Sequence, residues 1–473
     1  MKNSTNLAST NQNDLNERQF LPSNNQPEPT IALLHCYDLI DDFLDSINIS
    51  FETFCQEFLG SWMFGYINAL KQVGVRTVLF CISARVDRPS RFTHAPTGAM
   101  ICVLPPARIY YAYRAVRRNS LNLYGASETQ SFKDIQDDST IRRSLLTSVK
   151  DLAKSIGTYM STPLGLLASE LRRENCQAIL CQEYEYARFD TCVLLGKLLH
   201  LPVFASFQGG NKTESPIEVP LRHLSFSLCT GVIIPTQTEI QRVSDRYGIS
   251  SSKIAHIFNP LDMTTCQGID RLEARAKLGI PLDARVVAWH GRVEIERKGL
   301  DILLEAWQQI CCDRPEQDLR LLLVGTGSDA ERFGERINAM QLKGVQWLNE
   351  FVSDRTIIQQ YLTAADVYTL PSRQEGFPVA PIEAMSCGLP VVAADAPGIP
   401  DILEGGEASG GIIVPRGDAS ALALELGRVL DDEAWGRELG FNARDRAENC
   451  FSSKAIGKQL CDVFFNQSIR KNR

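Results

Sequence analysis

The nineteen residues from Glu375 to Ala393, Glu-Gly-Phe-Pro-Val-Ala-Pro-Ile-Glu-Ala-Met-Ser-Cys-Gly-Leu-Pro-Val-Val-Ala, leave few folds open to this chain. Ser372 to Phe377 is polar and contains glycine, so it reads as a loop. Pro378 and Pro381 are tolerated only where no backbone N–H is needed, which places them in the opening turn of a helix. Ile382 to Cys387 continues that helix, Gly388 ends it and Pro390 cannot prolong it. Val391-Val392-Ala393 then reads as a short strand buried on both faces.

That order of elements presents unpaired backbone N–H groups and the positive end of a helix dipole at one spot, an arrangement suited to an anion. It also places two carboxylates there, Glu375 in the loop and Glu383 eight residues on. Carboxylates repel phosphate, so the pair makes sense only if phosphates meet cations elsewhere while the carboxylates accept hydroxyl groups. The local chemistry is that of a site for a sugar joined to a phosphate.

Glu375-x7-Glu383 followed by Ala-Met-Ser-Cys-Gly-Leu-Pro-Val-Val-Ala resembles the signature of retaining GT-B glycosyltransferases of family 4, the glycosyl transferases group 1. The resemblance covers Val286 to Asn449 well and the N-terminal half more faintly. It implies an α/β fold with two Rossmann-like domains facing across a cleft and a C-terminal helix crossing back to the first domain. It also implies a hexosyltransferase-type reaction, in which a nucleotide-diphosphate sugar passes its sugar to a glycan, lipid or small molecule with retention of anomeric configuration. On this resemblance Glu375 meets the donor sugar and Glu383 the ribose, while Gly376, Phe377 and Val379 supply close backbone contacts. Pro378 stands where the family often has glycine and has no N–H, which shifts any phosphate contact to Val379 or Ala380.

Upstream, Val286 to His290 reads as a buried strand, followed by Gly291-Arg292 and, six residues after Arg292, Lys298-Gly299. This resembles the family's Gly-Arg…Lys-Gly element. Arg292 and Lys298 would complement the donor diphosphate and stabilise it as a leaving group. By the same resemblance Phe351 and Val352 lie near the nucleobase, and Gly398-Ile-Pro-Asp401 and Gly410 to Val414 complete the pattern. The nucleotide sugar is a co-substrate, and no separate cofactor is implied. Nothing resembles a metal-binding Asp-x-Asp, so no metal is expected.

A second reading comes from Leu321-Leu-Leu-Val-Gly325-Thr-Gly327-Ser-Asp-Ala330, which fits strand, G-x-G-x-x-A, helix, with Glu350 twenty residues beyond Ala330. This is close to the dinucleotide fingerprint and leaves an NAD-dependent oxidoreductase open. The family also carries a Val-Gly-x-Gly turn there, and Gly325 and Gly327 are then donor-side residues. A GT-B sugar-nucleotide epimerase and a non-catalytic sensor are the remaining alternatives.

A chain of 473 residues favours two domains. We divide it into a disordered tail at 1–29, an acceptor-side Rossmann-like domain at 30–257 and a linker with the first C-terminal segment at 258–283. The nucleotide-sugar domain follows at 284–440, and helices crossing back occupy 441–473. In the first domain Ile31 to His35, Thr77 to Ile82, Ala99 to Leu104, Gln177 to Cys181 and Pro202 to Phe207 read as strands. Gly231 to Pro235 reads as its last strand and Thr238 to Tyr247 as its last helix. Residues 52–72 read as a helix with Gly60-Ser61 at its opening, where the family commonly has Gly-Gly near the acceptor. His94 in a loop, Arg188 and Gln208 at the C-terminal ends of strands are further acceptor-side candidates, since open α/β sheets bind ligands there. His290, at the end of its strand, reads as a packed residue lining the site.

The apolar share of 44% is that of a globular protein, and no run of eighteen apolar residues exists to span a membrane. A net charge of −7 argues against nucleic acid as a partner. Fourteen scattered cysteines without a secretion signal read as reduced, buried thiols of a cytoplasmic protein. Arg108 to Arg118 mixes four arginines with three tyrosines, and could touch the inner face of an anionic membrane or be the solvated face of an amphipathic helix.

Overall fold

A computed structural model describes residues 28–36, 38–44, 49–58, 62–107, 110, 157–209, 218–263, 269–352 and 354–465. Residues 1–27 of the tail, Gly60-Ser61 and, apart from Tyr110, the Arg108 to Arg118 stretch lie outside these residues.

The first half alternates short apolar strands with helices: β1 (Thr30–Leu34), α1 (Phe51–Gln56), α2 (Trp62–Gln72), β2 (Arg76–Ile82), β3 (Ser90–Thr93), β4 (Met100–Leu104), α3 (Leu164–Arg173) and β5 (Ala178–Gln182). It continues through α4 (Ala187–Leu199), β6 (Val203–Ser206), α5 (Glu218–Leu228), β7 (Gly231–Ile234), α6 (Gln237–Tyr247) and β8 (Ile254–His256). The strands form one sheet in the order β3-β4-β2-β1-β5-β6-β7-β8, parallel except for β3 on β4. Both faces of the inner strands are covered, which is why they are apolar rather than alternating, whereas the edge strand β3 is polar and partly exposed. Leu33, Leu79 and Ile101 face one core, and Ala32, Val78 and Cys102 face the other.

The second half gives α7 (Arg271–Leu278), β9 (Arg285–His290), α8 (Ile295–Lys298), α9 (Leu300–Asp313), β10 (Leu319–Val324), α10 (Ala330–Ala339), β11 (Val345–Leu348) and α11 (Arg355–Ala364). Then come β12 (Val367–Leu370), α12 (Ala380–Ser386), β13 (Val391–Ala394), α13 (Ile399–Ile402), β14 (Gly411–Val414), α14 (Ala419–Asp431), α15 (Glu433–Arg446) and α16 (Ser453–Phe465). Its sheet runs β11-β10-β9-β12-β13-β14, all parallel. Strand order reverses between β9 and β12, and ligands of open α/β sheets sit outside the C-terminal ends of such strands.

One buried arginine closes the start of this sheet. Arg275, 2% exposed, donates to the carbonyls of Ala364, Leu282 and Ala284 at 3.0, 2.7 and 3.0 Å and to Asp366 Oδ2 at 3.0 Å. The same Asp366 oxygen accepts from Val286 N at 2.7 Å, and Arg271 pairs with the other oxygen. α7, β9 and the approach to β12 are thereby held by one hydrogen-bonded cluster.

The chain crosses between the halves twice, and the two crossings lie side by side. Leu261 N donates to Phe451 O at 2.7 Å, and Ser453 N returns a bond to Leu261 O at 3.0 Å. α16 then packs on α2, placing Ile456, Leu460 and Phe464 in the first domain's core. The last helix thus crosses back as the resemblance implied.

Three local expectations are corrected. The helix expected over 52–72 is two helices, with Ser50 capping α1 at Thr53 N and α2 starting at Trp62. β7 is not the last strand of its sheet, because Ile254–His256 pairs alongside it in parallel; three residues are too few to show periodicity. Pro378 precedes α12, which starts at Ala380 with its first backbone bond from Glu383 N to Val379 O at 2.9 Å, and only Pro381 lies in the opening turn.

Replacing Arg275 by methionine keeps much of the volume, removes one of the three partners of Asp366 and takes the shared donor from the carbonyls of Ala364, Pro281, Leu282 and Ala284. The expected loss is about 3–5 kcal/mol of unfolding free energy, read from urea melts; a change under 1 kcal/mol would show that the Arg275 cluster does not hold these elements together.

Candidate functional site

The site is assembled at the C-terminal ends of β9 and β12. Beyond β9, Gly291 N donates to Val324 O at 3.0 Å and Val293 N to Thr326 O at 3.1 Å, so the β9 loop continues alongside the loop after β10. That close passage explains Gly325 and Gly327. A Cβ on Gly325 would stand 1.9 Å from Gly291 O, and one on Gly327 would stand 2.3 Å from Val293 O. In a dinucleotide site the second glycine clears room for a pyrophosphate. Here that side of Gly327 is filled by the chain's own backbone, which speaks against the oxidoreductase alternative.

Arg292 projects from this loop with its side chain 72% exposed, 3.6 Å from Glu294. Lys298 ends the single turn of α8 and reaches across to the loop after β12, where its Nζ lies 2.7 Å from Glu375 Oε1. The same oxygen accepts from Ser372 Oγ at 2.6 Å. The loop bearing Glu375 is fixed to α9 by Arg373, whose guanidinium forks onto Asp301 at 2.8 and 2.7 Å. Glu375 is therefore a shielded carboxylate with a cation and a hydroxyl on one oxygen, its side chain only 5% exposed.

Glu383, on the first turns of α12, points back toward β9. Its Oε2 lies 2.8 Å from His290 Nε2 and its Oε1 lies 2.7 Å from Arg355 at the start of α11. Burial alone would raise its pKa, but the His290 hydrogen bond and the Arg355 charge outweigh this and hold it below the usual carboxylate range. His290 thus lines the site, as its sequence position suggests. The sequence pattern points to neither Ser372 nor Arg355. Ser372 stands in the polar loop three residues before Glu375, whereas nothing in the sequence marks Arg355.

Gly376 lies between the two domains. An added Cβ there would be 2.9 Å from the Cα of Gly209 in the first domain, and one on Gly398 would be 2.6 Å from Gly376 O. Phe377 turns away from this surface and stacks on Phe258 of the linker, centroids 5.5 Å apart, beside Phe451. Val379 occupies the N-terminal cap position of α12 without a side-chain cap bond, Val352 is half-buried against the core and Phe351 is 75% exposed. Farther along the same junction, Asp401 Oδ1 accepts from Gln237 N at 2.8 Å and lies 3.6 Å from His256 Nε2.

The acceptor-side candidates are placed less openly than the sequence reading expects. His94 is fully buried and stacks on Phe64 at 3.8 Å, with ring nitrogens 2.8 Å from Thr97 Oγ1 and 2.9 Å from Phe58 O. Burial depresses its pKa in spite of the Phe58 bond. It is an interior residue holding the α1 region against α2, because a flat ring beside aromatic neighbours packs better than it solvates. Arg188 is likewise 3% exposed, donating to His35 O and Asp38 Oδ1, both at 2.8 Å. It braces the loop after β1 rather than facing solvent. Gln208 follows β6 as expected, its N bonded to Glu183 Oε1 at 2.5 Å and its Nε2 to Asn259 Oδ1 at 3.1 Å.

Among the described residues no cluster of three or more His, Cys, Asp or Glu could hold a metal ion, and no helix is long and apolar enough to cross a membrane. No disulfide joins the described cysteines, most of which are buried.

Residues 284–432 match the family model described as glycosyl transferases group 1. D-inositol 3-phosphate glycosyltransferase of Corynebacterium kroppenstedtii is 33% identical over 210 residues, 43% of this chain and 46% of that one. Its namesake in Corynebacterium aurimucosum is 31% identical over 240 residues, 49% of this chain and 56% of that one. The chain thus spans about half the length of the curated relatives it matches. Among solved structures, sucrose-phosphate synthase from Thermosynechococcus elongatus superposes with a TM-score of 0.61 at 20% identity, covering 94% of this chain and all (100%) of that one. HepE of Anabaena in complex with UDP gives 0.63 at 16% identity, covering 92% of this chain and 100% of that one. The two parallel-sheet domains are those of the GT-B fold.

The depressed pKa of Glu383 fixes a sign. Its contribution to stability is fully present above the ordinary glutamate value of 4.5 and is lost as pH falls through the lower folded value. Wild type should exceed Glu383→Gln in urea stability near neutral pH, with the gap closing on acidification below about pH 4. A gap that is constant across that range would show that the carboxylate is not held ionised by its neighbours.

Proposed function

We propose that this chain is a retaining glycosyltransferase of family 4, which moves a sugar from a nucleotide-diphosphate donor to an acceptor hydroxyl. The observation that supports this best is the pairing of Lys298 with Glu375 beside the exposed Arg292, at the strand ends where the sheet order reverses. Arg292 and Lys298 would meet the diphosphate, Glu375 would orient the donor sugar and Glu383 would take ribose hydroxyls. Exposed Phe351, with Val352 behind it, would flank the nucleobase. The family model spans every one of these residues. HepE was solved with UDP-glucose, so a UDP-sugar is the first donor to try.

In the reaction the bond from the anomeric carbon to the diphosphate oxygen breaks. A bond from the acceptor oxygen forms on the same face, and the acceptor's proton passes to the departing diphosphate. No protein base is then required on the opposite face. Arg292 and Lys298 act where negative charge grows, which lowers the barrier more than equal contacts in the ground state would. Two cations on the diphosphate remove the need for a divalent metal in this reading. The division at 30–257 and 284–440 assigns the acceptor to the first domain and the donor to the second.

Thermal melting against UDP-, GDP- and ADP-sugars, with NAD(H) in parallel, tests the donor, since a ligand of the folded state raises the midpoint. A rise with one nucleotide sugar is expected; a rise with NAD(H) alone would overturn the assignment. Once a donor is known, proton NMR of the product reports whether the anomer is retained.

Arg292→Ala should lower kcat/KM by about one to two decades, the loss of a charge-assisted hydrogen bond. Arg292 is an exposed side chain, so its melting temperature should not move. Unchanged kinetics would remove Arg292 from the site.

A further inference from the structure

His290 and Arg355 hold Glu383 in unlike ways. His290 ends β9 and is 8% exposed. Its ring lies against the fully buried Tyr368, centroids 5.4 Å apart, and its carbonyl accepts from Tyr368 Oη at 3.3 Å. Its Nδ1 is buried and has no hydrogen-bond partner among the described residues, while Nε2 faces Glu383 Oε2 at 2.8 Å. An imidazole with Nδ1 in that setting satisfies the pair best as the tautomer carrying its proton on Nε2. Arg355, by contrast, has its side chain 43% exposed and bonds Oε1 from the first position of α11. One oxygen is therefore fixed by a ring that cannot move without disturbing β9 and β12. The other is met by a long, half-solvated side chain that can shift.

We propose that His290 is a positioning residue for ribose recognition: by anchoring Oε2 it sets the plane of the Glu383 carboxylate, so that Glu383 meets the vicinal hydroxyls of a ribonucleoside diphosphate in one orientation. This rests on the reading of Glu383 as the ribose acceptor. A carboxylate offers about four lone-pair directions, and a diol uses two of them well only if the plane is held. Arg355 adjusts on the solvent side as the diol arrives. His290 touches no substrate atom in this arrangement and acts through Glu383.

The test is isothermal titration of UDP, GDP and ADP, followed by the 2′,3′-dideoxy form of the tightest binder. The proteins are wild type, His290→Gln and His290→Asn. Glutamine can place its amide nitrogen near the position of Nε2, whereas the amide of asparagine ends near Nδ1 and cannot reach Glu383. Wild type should prefer the ribonucleotide by about tenfold or more, the worth of hydrogen bonds to a charged group. His290→Gln should keep most of that preference. His290→Asn should lose most of it while binding the dideoxy compound as wild type does.

Equal weakening of both ligands by His290→Asn, or equal behaviour of the two variants, would make His290 merely structural and sink the proposal. Wild type that binds a nucleoside diphosphate with no preference for ribose would remove Glu383 from that role and leave the donor site standing. Wild type that binds none of the three would overturn the donor reading itself. Melting curves identify a variant that fails to fold; should His290→Asn not fold, His290→Ser, whose side chain likewise cannot reach Glu383, takes its place in the comparison.

Discussion

A carboxylate withdrawn from water has to be matched by positive charge or by several donors, or it will not stay ionised. Glu375 and Glu383 are both withdrawn, and much of the second domain's architecture answers that requirement. Lys298 reaches Glu375 because a single helical turn after β9 closes against the loop beyond β12. His290 reaches Glu383 because it is the last residue of β9, while α12 starts from the neighbouring strand's loop. Motifs 77 and 93 residues apart in the chain are two halves of one neutralised pair of acids. On the function proposed above, a diphosphate sugar would suit such a place, bringing both an anion for lysine and arginine and hydroxyls to donate to the carboxylates.

How much of this could be read from residues alone varies with physical scale. Long apolar strands such as Arg285–His290 and Leu319–Val324 stand out because both their faces are buried. The Glu375 to Ala393 string stands out because its prolines, glycine and acids have few joint solutions. Ile254–His256 and the edge strand Ser90–Thr93 are too short for a pattern and exist because a neighbouring strand is there to pair with. Arg355 is an ordinary surface arginine by composition, and only the approach of α11 to α12 brings it to Glu383. His94 and Arg188 look functional for their chemistry yet are enclosed by aromatic rings and by Asp38, which sequence spacing does not report.

The turn from Gly325 to Ala330 shows how one string of letters can serve two purposes. Glycine at such positions states only that something comes very near the backbone. In a dinucleotide enzyme that neighbour is a ligand; here it is the carbonyls of Gly291 and Val293. The same closeness shapes the loop that carries Arg292, so the glycines influence the site through that loop.

The paired crossings at Leu261 and Ser452 have a mechanical meaning. Two strands of chain bonded to each other at the junction act as a hinge pin: if one domain rotates against the other, it turns about that point rather than sliding past it. Phe258, Phe377 and Phe451 pack around the pin, and Phe377 is two residues from Glu375. The lever arm from pivot to carboxylate is therefore short. A rotation that swings the outer helices through a wide arc would shift Glu375 only slightly, leaving its pairing with Lys298 in register.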